Sequence, residues 1–318
     1  MQRAFNLAVN LMKLCMLLFL LTIAISARSQ SGANYSKDTT EKNTIELQVY
    51  GAYHTADFDW SIAGNSMGQN PNVLSEVIWK NIKGPGMGLD IRLNIWSPIF
   101  LKVNYQRNSI KSGKVSDTDY ASDNRTNPGY QANLNSNEGF SYNYAAVGGY
   151  EFKLSPSLKL SPFAGYLKDA QHLHLKDFKD ETDPAIKTLN STYRASWTGP
   201  VIGIEANLWL SNQLSINGIL NYKQLKYKAT ADWNLIDAFA HPVSFRHTAN
   251  GYGTDGLLQL NFRFNPLLSV FARGNYSYSN TGKGTDDLFL ADGKTLQSQF
   301  NSATRHEAGL AAGIGLSL

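Results

Sequence analysis

The sequence predicts an all-β fold, a ten-stranded antiparallel transmembrane β-barrel with long extracellular loops. Three observations predict it. Apolar residues recur at every second position over ten separate stretches, the period of a strand with one dry and one wet face. The connections between those stretches alternate long and short along the whole chain, as in barrels that carry loops on one side of a membrane and turns on the other. An apolar leader precedes them all, which directs the remainder of the chain into export.

Residues 1–29 read as a signal peptide. Arg3 and Lys13 supply positive charge, and the apolar run over 14–25 is too short and too early for a mature membrane helix. Cleavage fits after Ser26 or after Ser29. Cys15, the only cysteine, lies inside the apolar run, so neither disulfides nor thiolate chemistry belong to the mature chain. Residues 30–43 are Ser, Lys, Asp, Thr and Asn in the main, a flexible mature N-terminus. The barrel occupies 44–318. Without Arg3, Lys13 and Arg28, the 29 basic residues fall to 26 against 25 acidic ones, a net charge of +1. That is no nucleic-acid footprint. The mean hydropathy of −0.29 does not argue against a membrane barrel, whose apolar residues are diluted by polar ones at alternate positions.

The first strand, 44–54, sets Ile45, Leu47, Val49, Gly51 and Tyr53 against Glu46, Gln48, Tyr50, Ala52 and His54. A connection rich in Gly, Asn and Pro follows to Pro71. The second strand, 73–96, interleaves Met87, Leu89, Ile91, Leu93 and Ile95 with Gly88, Asp90, Arg92 and Asn94. Charges at every second position of an apolar run need water on one face and hydrocarbon or core on the other. Gly84-Pro85-Gly86 in its middle marks a bulge or a turn dividing two strands. After the tight turn at Ser97-Pro98, the third strand sets Leu101, Val103 and Tyr105 against Lys102, Asn104 and Gln106. A polar loop over 108–137 comes next. The fourth strand carries Phe140, Tyr142, Tyr144, Ala146, Gly148, Tyr150 and Phe152 on one face. The fifth covers 158–175, and the sixth ends at Leu210 with Ile202, Ile204, Ala206 and Leu208 outward. Leu214, Ile216, Gly218, Leu220 and Tyr222 mark the seventh, before a connection over 229–243. The eighth ends in Leu258, Leu260, Phe262 and Phe264. The ninth has Leu268, Val270, Ala272, Gly274, Tyr276 and Tyr278, and a Gly- and Asp-rich loop spans 280–299. The tenth, 307–318, alternates Ala308, Leu310, Ala312, Ile314, Leu316 and Leu318 with small or polar residues.

An even strand count suits a single-chain bacterial barrel whose two ends are periplasmic. Tyr150, Phe152, Phe262 and Phe264 lie near short turns; Tyr105, Tyr142, Tyr222, Tyr276 and Tyr278 lie near long loops. Two aromatic girdles mark the two interfaces of a bilayer. The inward faces carry Arg92, Lys102, Asn104, Asn143, Glu205, Asn207, Gln259, Asn261, Arg263, Arg273 and Asn275. These long polar chains largely fill the narrow lumen of ten strands, which disfavours a wide pore.

Ser116-Asp117-Thr118-Asp119-Tyr120 opens the second long loop. Two carboxylates at i and i+2 on extended chain share a face, and close like charges let one hold a proton while the other accepts one. Such a pair can activate water, or can simply be a solvated acidic loop. Ser75-Glu76-Val77-Ile78-Trp79-Lys80, Asp117-Thr118-Asp119-Tyr120, Asn127-Pro128-Gly129 and Pro200-Val201-Ile202-Gly203-Ile204 resemble, in order and wording, segments of the omptin family of outer-membrane proteases. The resemblance covers most of the chain and implies a barrel with its site at the extracellular rim. It also implies that Asp117 and Asp119 position and deprotonate an attacking water. The family's second half is an Asp-x-His pair in the fourth long loop. Here Asp232-Trp233-Asn234 keeps the Asp and has Asn in place of His, and Asn cannot exchange a proton at neutral pH. His241, or His247, is then required to fold back if an imidazole is to be restored. The wording from Asp232 to Phe245 also looks like the Protochlamydia-type outer-membrane proteins, omptin-related barrels without established protease activity.

Catalytic candidates are therefore Asp117, Asp119, Asp232 and His241. His172 and His174 share a face, but no third metal ligand is apparent. Neither G-x-S-x-G, a P-loop nor H-E-x-x-H occurs. The sequence predicts a protein of the bacterial outer membrane without metal or cofactor. Its expected partners are outer-membrane lipid, with lipopolysaccharide as a structural lipid, and an extracellular peptide or surface ligand. Three functions are compatible with these features: a surface-binding, weakly catalytic or non-catalytic relative of the omptin proteases; an endopeptidase with a displaced His; a narrow porin for small solutes.

Overall fold

The computed structural model describes residues 45–176 and 188–318. The signal peptide read over 1–29 and the N-terminal segment read over 30–43 lie outside the described residues. Thirteen strands run in order: β1 (Ile45–Ile62), β2 (Ser75–Trp96), β3 (Ile99–Ser109), β4 (Ser112–Ser122), β5 (Thr126–Asn135), β6 (Gly139–Tyr150), β7 (Phe152–Ser155), β8 (Leu158–Lys176), β9 (Asn190–Trp209), β10 (Leu214–Asp232), β11 (Phe245–Arg263), β12 (Leu268–Phe289) and β13 (Thr295–Ser317).

Ten of them close a ring. β1 pairs β2, β2 pairs β3, β3 pairs β6 and β6 pairs β8. From β8 to β13 each strand pairs the next, and β13 returns to β1. Every pair is antiparallel, and closure removes the exposed edges that an open sheet would have. β4 and β5 form a hairpin on the upper half of β2, and β7 is a short arm on β8. β2 and β10 stand five strands apart whichever way the ring is followed. β4, beside β2, therefore faces β10 across the mouth.

The alternation reverses its polarity halfway up each long strand without changing register. On β10 the outward residues run Leu214, Ile216, Gly218, Leu220 and Tyr222, then Gln224, Lys226 and Lys228. The inward ones run Ser215, Asn217, Asn221 and Lys223, then Leu225, Tyr227, Ala229 and Ala231. β1 repeats this: outward Ile45, Val49 and Tyr53 give way to Thr55 and Asp57, while inward Glu46 and Gln48 give way to Phe58 and Trp60. In the lower half Val49, Leu101, Ile202, Leu258 and Ile314 are all exposed, a contiguous apolar belt that only hydrocarbon can cover. Tyr53, Tyr105, Tyr222 and Tyr252 are exposed at its upper border, and Tyr150, Phe152, Phe262 and Phe264 at its lower one. The lower half spans the bilayer and the upper half stands in water.

The interior follows the same division. The lower lumen holds a polar cavity of ≈ 370 Å³ lined by Arg92, Lys102, Glu205, Asn217, Lys223 and Arg273 among others. Its charges are paired: Arg273 with Asp90 at 2.6 Å, Lys223 with Asp255 at 2.7 Å, Arg92 with Glu151 at 3.0 Å and Lys102 with Glu205 at 3.4 Å. Pairing is what makes buried charge tolerable. Gly88 stands opposite Tyr50, where a Cβ would come within 2.0 Å of the ring. Glycine there gives the phenol room, and Arg273 stacks 3.7 Å from that ring. Above the cavity, Phe58, Trp60, Trp79, Tyr193, Trp197, Tyr227 and Phe300 are buried together. Trp60 stacks on Tyr193 at 5.6 Å, and Trp197 meets Tyr227 at 4.4 Å. This aromatic plug fills the lumen above the polar cavity.

The strands outrun the sequence reading at the upper end. Of the segments read as loops, the one after His54 continues as β1 to Ile62, and 108–137 contains the β4–β5 hairpin. β10 reaches Asp232, and 280–299 is mostly strand, broken only over 290–294. The cause is the polarity reversal: above the bilayer the outward faces carry Thr, Asp, Lys and Asn, a composition that imitates loops. Gly84-Pro85-Gly86 neither ends β2 nor divides it. β2 pairs β4 above this point and β3 from Gly86 downward, so a proline without N–H sits where the neighbour changes.

Candidate functional site

Asp117 lies on β4 between Val77 of β2 and Ala132 of β5. Val115, Asp117 and Asp119 share the inward face, Val115 in the plug and the two carboxyls above it. Burial pushes the Asp117 carboxyl up to about 7, the charge of Asp119 adds to the rise, and a long hydrogen bond from the Trp233 indole offsets part of it. Burial also raises Asp119, opposed by the Ser75 hydroxyl. Tyr130, opposite Asp119 on β5, is exposed and feels both charges. The pair thus has the split environment that keeps one proton near neutrality.

Asp232 ends β10. His241 Nδ1 stands 2.6 Å from Asp232 Oδ1, nine residues away rather than two. The intervening loop is folded back and pinned. The Trp233 N–H donates to Ser244 Oγ at 2.9 Å, Ser244 Oγ donates to the Ala240 carbonyl at 3.2 Å, and the Ala240 N–H donates to the Phe289 carbonyl at 2.9 Å. Asn234 has a different occupation. Its side-chain oxygen accepts from the Asn190 N–H and from Ser191 Oγ, and its amide donates to the Thr188 carbonyl. It staples the loop to the start of β9.

The structure forms both pairs and does not bring them together. On β10, Ala229 and Ala231 face inward while Thr230 and Asp232 take the opposite side. Trp233, one residue on, returns to the inner side, where its ring meets Phe245 at 4.7 Å and Trp60 at 6.4 Å. The group that reaches Asp117 from the far wall is therefore an indole, and the Asp232–His241 couple belongs to the other face of that wall. His247 is buried in the plug. Its Nδ1 is 2.7 Å from the Tyr193 hydroxyl, its Nε2 lies 3.1 Å from Asp286 Oδ1 but out of line for a hydrogen bond, and burial lowers its pKa.

His172 and His174 lie on the outer face of β8, their rings 4.8 Å apart. Arg194 Nε donates to His172 at 3.3 Å, and His174 pairs with Asn190 at 2.8 Å. Burial, then His174 and Arg194, lower His172 to about 4. Among the described residues no three metal-ligating side chains cluster. Trp233 and Ser244 are the site residues that the sequence reading missed. Counting the inward parity of β10 onward from Lys223 would have reached Trp233.

A closed ten-stranded ring with a lipid-facing belt, two aromatic girdles and an acidic pair at the long-loop rim defines an omptin-like outer-membrane β-barrel. A family model described as Protochlamydia outer membrane protein matches residues 48–318, and the chain belongs to that family. Among solved structures, the outer membrane protease OmpT of Escherichia coli aligns with a TM-score of 0.69 at 11% identity, over 91% of this chain and 100% of that one. At that identity the likeness is one of fold. The translocator domain of the autotransporter NalP of Neisseria meningitidis aligns with a TM-score of 0.37 at 10% identity, over 96% of each chain. No curated protein matches the sequence.

Proposed function

We propose that this barrel binds an extracellular peptide or other surface ligand at its rim and does not hydrolyse it. The observation that carries this reading is the position of Trp233. An indole meets the acid pair where water activation would need an imidazole, and it neither accepts nor delivers a proton. Tyr130, Leu235, Ile236 and Leu296 are exposed at the same end, outside the lipid belt. Large apolar side chains grouped at a water-facing rim are the usual mark of a recognition surface. The aromatic plug argues against the channel. Refolded protein in lipopolysaccharide micelles is expected to retain members of a peptide array without cleaving them, and Tyr130→Ala is expected to weaken binding about tenfold, the effect of one ordinary interface aromatic. In planar bilayers it is expected to give no stepwise conductance.

The hydrolytic alternative draws its support from the 2.6 Å contact between His241 and Asp232. It requires that couple to reach the inner face. Peptide cleavage that disappears in both His241→Ala and Asp119→Ala would overturn the binding reading in its favour.

A further inference from the structure

We propose that Trp233 is a pH-operated latch across the mouth: it ties the two walls together through Asp117, stays closed while the acid pair carries a proton, and is released when both carboxylates ionise. The proposal concerns the same rim as the binding reading, but its test needs no ligand, so the two fail separately.

The geometry comes first. β4 and β10 stand on opposite walls of the ring, and Trp233 and Asp117 are the side chains through which they meet at the top of the plug. Trp233 is held from behind by Phe245 and Trp60 and through its backbone by Ser244. Nothing fixes Asp117 with comparable strength. Val77 and Ala132, its cross-strand neighbours, are apolar, and among the described residues no cation pairs with it. The charged or titratable groups that face it are Asp119 on its own strand and Tyr130 on β5, the latter opposite Asp119. Asp232 and His241 stand on the other side of the β10 wall. A carboxylate that loses its proton in this place gains a like charge beside it, no counter-ion, and one long donor bond from the indole.

The direction comes from linkage. In the latched state burial and Asp119 hold the Asp117 proton up to about 7. In a parted mouth the carboxyl is solvated and titrates near the ordinary value of about 3.9. The latched state therefore binds the proton more tightly. Its advantage is greatest below about pH 4, falls by up to tenfold per pH unit as pH rises, and is smallest above about 7. The indole donor bond favours the ionised form and works the other way, but it is the smaller influence on Asp117.

Full-length barrel labelled with 5-fluorotryptophan is followed by ¹⁹F NMR from pH 4 to 9, with Trp233→Phe identifying the Trp233 resonance. That resonance is expected to move toward the solvent-exposed position with a midpoint near 7. It is expected to stay fixed in Asp117→Asn, and its midpoint is expected to fall in Asp119→Asn, where the neighbouring charge is gone. The Trp60 resonance, inside the plug, is expected to remain still. A Trp233 resonance that does not move in the wild type, or that moves equally in Asp117→Asn, overturns the latch.

Discussion

Replacing Asp117 with asparagine is expected to stabilise the folded barrel at neutral and alkaline pH and to leave it unchanged near pH 4. The folded-state pKa of Asp117 is raised to about 7, against about 3.9 in an unfolded chain. Between those values the folded state holds more protons than the unfolded one, so stability falls as pH rises through the window. Above it the full penalty of a buried, unpaired carboxylate is present. At ~1.4 kcal/mol per pH unit the ceiling is about 4 kcal/mol, and Asn, being neutral, never incurs it. Urea unfolding in phospholipid vesicles at pH 4 and pH 8 measures the difference. An equal stability change at both pH values would mean that the carboxyl is not buried as described. A residue that weakens its own fold is a mark of function rather than architecture.

Trp79→Ala is expected to cost about 3–5 kcal/mol, the usual toll for truncating a large buried aromatic. Trp79 has no exposure and packs against Phe58 and Tyr193 at 5.4 and 5.5 Å. Trp96 at the lower girdle, 70% exposed, provides the comparison, since its ring loses lipid contact rather than protein contact. If both substitutions lower the urea midpoint equally, the upper barrel has no cooperative core of its own.

The membrane half of the fold was legible because its sign is simple: apolar out, polar in, turns of a few residues. Ten strands, both girdles and the inward polar set come from that rule, as Met87 to Ile95 and Leu214 to Tyr222 illustrate. The upper half was hidden by the reversal. Phe58, Trp60, Leu225 and Tyr227 sit on inward positions that carry charge or amide lower down, so a reader following one face loses the strand where the outward residues become Thr, Asp and Lys. The acid pair was legible from spacing alone, because i and i+2 on extended chain need no tertiary information. The contact between Asp232 and His241 was not, since it depends on Ser244 closing a loop. Nor was the separation of the two pairs, which turns on a single step of parity between Asp232 and Trp233.

The reversal of polarity along β10 also sets how deep the molecule sits. Tyr222 is the last outward residue that hydrocarbon welcomes, and Lys226 and Lys228 come next on the same face. Sinking by one strand repeat would press those ammonium groups toward the acyl chains, a penalty that grows to roughly 2–4 kcal/mol per lysine at the midplane. Rising by the same step would strip lipid from Leu220 and its neighbours around the ring. The protein therefore carries its own waterline, and the rim rides at a fixed height above the lipid whatever the bilayer beneath it does.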